Sequence, residues 1–349
     1  MSEKTPSLIV YTFAHFAVDF SCLWLLYQFV SRPLSAADIG ALFLFYNTLA
    51  FGLQAPIGDF ADRYPKIHFA LIGMGLLILG LVLNVFVWPA MILVSLGNAC
   101  FHVGGGIDSL EHGGGKFTRP GIFVSGGAMG VSLGTLAGKL NLPLYILIPG
   151  LLLVTSLIWA FCPIKKDEDF EPVLYHCNHP NKSFSFIFAL CMVCIMIRAF
   201  GGFVIKIDWA STWSLALLPS IGATLGKALG GFVADKAGAK LTAGVSLTLA
   251  ALLWGFGSSE PFLFFLGALC FNMCMPITLG ISAALFEKRF GFAFGVTVFA
   301  LLVGSLPAFF ISIPYGAVVA AVLSLCSAVC LVLILADPKK EEVNENTAV

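Results

Sequence analysis

From Leu8 to Ala336 the sequence is a train of apolar runs joined by connections of a few residues. Each run is roughly 20 residues long, which at about 1.5 Å per residue matches the hydrocarbon core of a bilayer, roughly 30 Å. Lipid offers no hydrogen-bond partner, so such runs must satisfy their backbones internally, as helices. The chain divides into twelve of them: 8–30, 37–58, 67–88, 90–110, 120–140, 142–162, 183–205, 211–233, 239–257, 261–283, 291–312 and 314–336. Composition points the same way, since 59% of residues are hydrophobic and 11% are charged, against about 25% charged in soluble domains.

The connection from Pro163 to Lys182 is the one long polar stretch, and it carries Lys165, Lys166, Asp167, Glu168 and Asp169. It separates residues 1–162 from residues 183–349, six runs in each, the second ending in a short polar tail. The expected fold class is therefore an all-α membrane protein of twelve transmembrane helices in two six-helix bundles. Run 8–30 contains His15 and Asp19 and is followed by no small-residue cleavage site, so it reads as a retained span and not as a signal peptide. Placing the N-terminus in the cytoplasm puts 14 of the 19 lysines and arginines inside, among them Arg63, Lys66, Lys116, Arg119, Lys236, Lys240, Lys288 and Arg289. Arg32, Lys139 and Lys206 then fall outside. Both termini and the Pro163–Lys182 connection are thus expected to be cytoplasmic, in the cell membrane.

The two halves repeat. "GDFADR" at Gly58–Arg63, closing the second run, recurs as "GFVADK" at Gly231–Lys236, closing the eighth. "LGNACFH" at Leu96–His102 recurs as "LGALCFN" at Leu266–Asn272 at nearly the same offset. Duplications of this kind are typical of transporters, with a substrate site between repeats near the midplane. These loops resemble the signature of the major facilitator superfamily, with Pro65 standing where a glycine is usual in the first copy and Gly238 kept in the second. The physical sense expected for the motif is that Gly58 and Gly231 permit close helix approach. Asp62 and Asp235 would face the N-terminal end of the following helix, and Arg63 and Lys236 would supply counter-charge. A narrower resemblance, to the proton-driven fosmidomycin-resistance branch, is carried by "HFAVDF" (His15–Phe20), "LGNACFHVGGG" (Leu96–Gly106) and "GGAMGVSLGT" (Gly126–Thr135). Val103 and Thr135 replace two prolines typical of that branch.

Ionisable residues inside a span cost about 2.5–3.5 kcal/mol on insertion scales and so mark functional sites. His15 and Asp19 lie in run 1, His102 in run 4, Arg198 in run 7 and Lys227 in run 8, whereas runs 3, 6, 9 and 12 carry no charge in their interiors. In the superfamily that resemblance implies, the latter four face lipid and runs 1, 4, 7 and 10 line the cavity. Asp19, His102 and Asn272 sit at similar depth, roughly 17 Å from a span end. Asp19 and His102, with His15 one helical turn from Asp19, are the expected proton-coupling residues. Arg198, Lys227, Asn98, Asn272 and Gln54 are the expected substrate-binding residues, and the two cations point to an anionic or amphipathic substrate.

Gly126, Gly130, Gly134 and Gly138 recur every fourth residue in run 5, and the resemblance implies a sliding contact between the halves there. Asp108, Glu111 and His112 share a helix end between two glycine triplets and read mainly as a solvated terminus. His176-Cys177-Asn178-His179 does not have a standard zinc spacing. The ten cysteines fall mostly inside apolar runs and read as packing. No G-x-x-x-x-G-K-[ST] loop is present; neither an HExxH motif nor a G-x-S-x-G elbow is expected, and so neither is an enzyme. No basic run suggests nucleic acid. The expected function is a monomeric, proton-coupled secondary transporter, an antiporter whose partners are a small molecule and protons, with no cofactor and no resident metal. The alternatives are a divalent metal-ion transporter, using His15, Asp19, His102 and Asp108, or a non-transporting membrane sensor.

Overall fold

Inside lipid only an internal hydrogen-bond ladder satisfies the backbone, and the apolar runs are accordingly helical. The computed structural model describes residues 5–32, 35–164, 171–205, 207–210 and 212–337. Lys165, Lys166, Asp167, Glu168 and Asp169 of the connection, Lys206, and the tail beyond Asp337 lie outside the described residues. The helices before the connection are α1 Thr5–Val30, α2 Ala36–Gly52, α3 Gln54–Arg63, α4 Phe69–Val82, α5 Val87–Glu111, α6 Thr118–Lys139 and α7 Leu147–Phe161. After it come α8 Phe184–Val204, α9 Trp213–Ala216, α10 Leu218–Ala237, α11 Ala239–Gly257, α12 Pro261–Asn272, α13 Met275–Leu285, α14 Phe290–Ser305 and α15 Gly316–Ile334. Among the described residues eleven segments are long and apolar enough to cross a membrane, and Phe69–Val82 is a shorter apolar helix.

Three runs expected to be continuous are broken, and proline explains each break. A proline removes the bond to the carbonyl four residues earlier and its ring crowds that carbonyl. Pro56 lies four residues after Gly52, where α2 gives way to α3; Pro276 lies four after Asn272, where α12 gives way to α13. Pro219 likewise accompanies the step from α9 to α10. The third run is shorter than its expected 67–88 because side chains cap it at both ends. His68 accepts from the Leu71 amide at 3.4 Å, and Asn84 donates to the Leu81 carbonyl at 2.7 Å.

The helices before the connection meet those after it chiefly where α6 lies along α10 and α3 lies along α14. The glycine stripe of α6 does not face that seam, contrary to the expectation of a sliding contact between halves. A Cβ at Gly126, Gly130, Gly134 or Gly138 would strike Thr12, Phe16, Phe20 or Trp24 of α1. The periodicity correctly marked a close backbone approach; the partner is α1, within the same half. The seam uses other glycines. Gly58 lies against Gly291, Gly295 against Gln54 and Ala55, and Gly231 against Phe117 and Thr118.

The connection is tied down where it is described. Asn178 bridges to Leu335, the His179 amide donates to the Ile334 carbonyl at 2.8 Å, and the Ala336 amide donates to the Cys177 carbonyl at 2.8 Å. Burial pushes the Cys177 thiol up to about 12. All ten cysteines are free thiols, seven of them buried.

The α1–α6 contact makes a direct stability prediction. A methyl at Gly134 would sit 2.2 Å from the Phe20 carbonyl oxygen, whereas one at Gly150 in α7 meets nothing within 4 Å. Gly134→Ala should lower stability in detergent by about 1–3 kcal/mol through overpacking, and Gly150→Ala should be neutral or stabilising by up to about 1 kcal/mol. Thermal melting of the two variants side by side measures this; equal melting temperatures would remove the proposed tight contact.

Candidate functional site

Three ionisable side chains meet in the interior of the first half. His15 and Asp19 project from one face of α1, four residues apart, and His102 projects from α5 towards them. His15 Nε2 lies 3.3 Å from Asp19 Oδ2, His102 Nε2 lies 3.6 Å from Asp19 Oδ1, and the two Nε2 atoms are 2.8 Å apart. All three residues are buried. Each imidazole is anchored through its other nitrogen, His15 Nδ1 to the Phe123 carbonyl at 2.8 Å and His102 Nδ1 to the Asn98 carbonyl at 2.9 Å. Asn98 donates from Nδ2 to Asp19 Oδ1 at 3.0 Å, and the same nitrogen lies 3.3 Å from the Tyr46 hydroxyl.

Gly127 of α6 closes the cluster. A Cβ there would stand 2.3 Å from His15 Nε2 and 2.5 Å from Asp19 Oδ2, so this residue is part of the site. The adjacent Gly126 belonged to the expected stripe; Gly127 lies off that repeat, and only the helix-to-helix contact reveals it. These three are the one group among the described residues with donor atoms close enough to share a metal ion. Two nitrogens on a tetrahedral zinc stand roughly 3.3 Å apart, for bonds of about 2.05 Å. The 2.8 Å observed is instead a hydrogen-bond separation.

The second feature is a cavity of about 480 Å³ walled mostly by the helices after the connection. Arg198, Lys227 and Asn272 line it, with the rings of Phe203, Trp254 and Phe271, and Asn47, Phe51 and Ala128 complete the opposite wall. Arg198 is buried and donates from Nη2 to the Phe271 carbonyl at 2.8 Å, while its guanidinium lies over the Phe271 ring, 4.7 Å from the centroid. Its Nε has no hydrogen-bond partner. Most of the donors of this cation therefore remain for something in the cavity. Lys227 lies within electrostatic reach of both Asp19 and Arg198.

Two of the expected substrate-binding residues are elsewhere. Asn98 belongs to the carboxylate–imidazole cluster. Gln54 is buried near the α3–α14 seam, where Nε2 donates to the Ala50 carbonyl at 2.7 Å and Oε1 has no partner. Neither lines the cavity. Ser132 of α6 and Ser220 of α10 share a short hydroxyl–hydroxyl contact across the seam, and Ser220 also lines the cavity. Ser132 is the centre of a G-x-S-x-G string, Gly130 to Gly134, against the expectation of none. The string lies in mid-helix, not at a strand-to-helix elbow, so it builds no nucleophile site.

The repeated motif makes the third feature, and its aspartates do not face the helices that follow them. Asp62 accepts from the amides of Gly291 and Phe292, both at 2.8 Å, at the start of α14. Asp235 accepts from the amides of Phe117 and Thr118 at 2.7 and 2.9 Å, at the start of α6. Each carboxylate thus caps a helix of the other half, where unpaired amides and the helix dipole favour negative charge. The basic residues of the motif also find other partners than expected. Arg63 pairs with Asp59 at 2.6 Å, Asp59 pairs in addition with Arg289, and Lys236 lies over the Phe232 ring. Asp108, at the end of α5, is held by Arg119 at 2.7 Å and His112 at 3.0 Å. It does not join His15, Asp19 and His102, which removes the fourth member of the metal-ligand set. His176, Cys177 and His179 likewise form no ligand cluster among the described residues.

No protein-family model matches this sequence, and no curated protein matches it. Solved structures do share its architecture. The E. coli fucose:proton symporter FucP is similar with a TM-score of 0.68 at 11% identity, over 95% of this chain and 98% of that one. FucP is a major facilitator superfamily transporter. The human organic anion transporter MFSD10 is similar with a TM-score of 0.64 at 12% identity, over 95% and 99% of the two chains. A bacterial homologue of the iron transporter ferroportin, in an outward-facing state, gives 0.61 at 14% identity, again over 95% and 99%. Identities this low carry architecture alone: the chain has the fold of major facilitator superfamily transporters.

Proposed function

We propose that this chain is a major facilitator transporter of twelve spans in two six-helix bundles, residues 1–162 and 183–349, joined by a cytoplasmic connection at 163–182. It moves a small anionic or amphipathic molecule across the cell membrane by alternating access, in exchange for protons, and is not an enzyme. The observation that carries this reading is the pairing of a cation-lined cavity in one half with a buried carboxylate–imidazole cluster in the other. Lys227 faces both. The cavity walls combine Arg198 and Lys227 with aromatic rings, which suits a ligand with an anionic head and an apolar body. Its lining residues include the ends of α8 and α14 and the start of α10, away from the capped helix starts at the opposite end. That arrangement supports a state open on the outer side, with Asp62 and Asp235 as the closed inner gate.

Proton coupling at Asp19, His15 and His102 is supported by their burial and convergence, and antiport by the motif resemblance to the fosmidomycin-resistance branch. Transport of a divalent metal is the weaker reading, because the imidazole spacing is short for a shared metal and Asp108 is committed elsewhere. A panel of organic anions, screened by thermal shift on purified protein, supplies candidate substrates. Arg198→Gln should weaken binding of a stabilising anion by roughly 10- to 100-fold, the loss of one charge-assisted bond worth about 1.5–3 kcal/mol. Unchanged affinity would make Arg198 structural.

In proteoliposomes Asp19→Asn should abolish accumulation driven by a pH gradient yet keep substrate-for-substrate exchange. Undiminished accumulation would remove Asp19 from coupling, and binding without any flux would make the protein a sensor. The gate makes a separate prediction, read by hydrogen–deuterium exchange. Asp235→Ala should speed exchange at Phe117 and Thr118, in the other half, and leave the first amides of α11 unchanged. Faster exchange at α11 alone would refute the crossed cap.

A further inference from the structure

We infer that the coupling proton resides between the two imidazoles, bridging His15 Nε2 and His102 Nε2, and that Asp19 is a fixed carboxylate anion beside it. This rests on the proton-coupled reading above and moves the proton from the acid to the histidine pair. The argument is one of hydrogen-bond counting. A backbone carbonyl only accepts, so the contacts of His15 Nδ1 with Phe123 and of His102 Nδ1 with Asn98 place a hydrogen on each Nδ1. A neutral imidazole has a single N–H, which would leave both Nε2 atoms as bare lone pairs. Those lone pairs face each other at 2.8 Å, and two acceptors at that distance repel. One proton between them turns the repulsion into an N–H···N bond and makes the pair a single monocation.

Asp19 fits the role of counter-ion. Its oxygens stand 3.3 and 3.6 Å from the two Nε2 atoms, longer than the N–N separation, and Oδ1 takes the Asn98 donor at 3.0 Å. A buried pair of opposite charges is neutral as a whole, whereas removal of the shared proton leaves a buried anion uncompensated. The groups facing the pair are few. From α1 and α5 they are Asp19, Cys22 and Asn98, from α2 Tyr46, and from α10 the cation Lys227; α6 offers the carbonyl and ring of Phe123 and Gly127, none of them titratable. Among the described residues, the positive charge acting on the cluster from outside it is Lys227. A proton held by the pair and Lys227 approaching Asp19 are therefore alternative ways to neutralise the same carboxylate.

The test is nitrogen-15 NMR of histidine-labelled protein in nanodiscs at neutral pH, with His15→Gln and His102→Gln to assign signals, infrared spectra, and metal analysis of the same samples. In the unmutated protein both rings should carry Nδ1–H and together hold one extra proton in a coupled Nε2–H···Nε2 bond. Each single variant should lose that proton entirely and leave the remaining ring neutral, and Asp19→Asn should lose it too. A protonated-carboxyl band that vanishes in Asp19→Asn would overturn the inference by returning the proton to the acid. So would two neutral rings with unlinked Nε2 atoms, or one equivalent of bound transition metal that disappears in His102→Gln. None of these readouts involves flux. A protein that binds the shared proton but transports nothing refutes the transporter reading alone, and pH-driven transport without the shared proton refutes only this placement.

Discussion

A helix that starts inside a protein leaves amides without partners, and here two such starts are completed by carboxylates from the opposite half. Asp62 reaches the first amides of α14, and Asp235 reaches those of α6. A hydrogen bond from a backbone amide to a charged carboxylate contributes about 1.5–3 kcal/mol away from water, and less here, where Asp62 is half-buried and Asp235 is exposed. Both aspartates follow a glycine that lets the two backbones touch, Gly58 on Gly291 and Gly231 on Phe117. The contact is strong where it exists and short in reach, so the seam at this end is closed when the caps are made and has little to hold it when they are not. Everything that depends on one closed end, including a cavity confined to the other, depends on these caps.

The charges of the interior are divided in the same way. The helices before the connection hold Asp19 with two imidazoles; those after it hold Arg198 and Lys227 on the cavity wall. Neither group is satisfied by a full set of partners in its own half. Arg198 uses a carbonyl and a ring, and Asp19 uses an asparagine and two histidines. A buried charge without a tight partner is costly, and that cost falls when a mobile ion arrives. In the proposed cycle one group would take a cation and the other an anion.

The sequence shows the apolar runs and the repeated motif plainly, because span length and internal repetition are properties of the chain alone. What it conceals is partnership across distance. The amides capped by Asp62 and Asp235 are remote in sequence, so the aspartates looked as if they served the adjacent helix. The stripe from Gly126 to Gly138 names a face but not the helix that fills it, and α1, not the other half, does so. Asn98 and Gln54 were expected among the substrate contacts, while the partners of their side chains put them elsewhere. Pro56 and Pro276 stood in plain view, and their effect on the residues four places earlier was there to be read.

Among the described residues of the connection, Tyr175 stands between the two caps. Its ring stands 6.1 Å from that of Phe117 and 6.5 Å from that of Phe290, next to the amides that Asp235 and Asp62 hold. Its hydroxyl donates to the carbonyls of Leu110 and Lys116, at 3.3 and 3.2 Å, and the side chain is fully enclosed. The caps come in two copies because the chain is duplicated; the tyrosine comes in one, because a connection between repeats has no counterpart. A single peg shared by two locks makes their release cooperative: loosening either one disturbs the packing of the ring on which the other rests. In the proposed cycle the asymmetry of the linker would thereby join two local events into one.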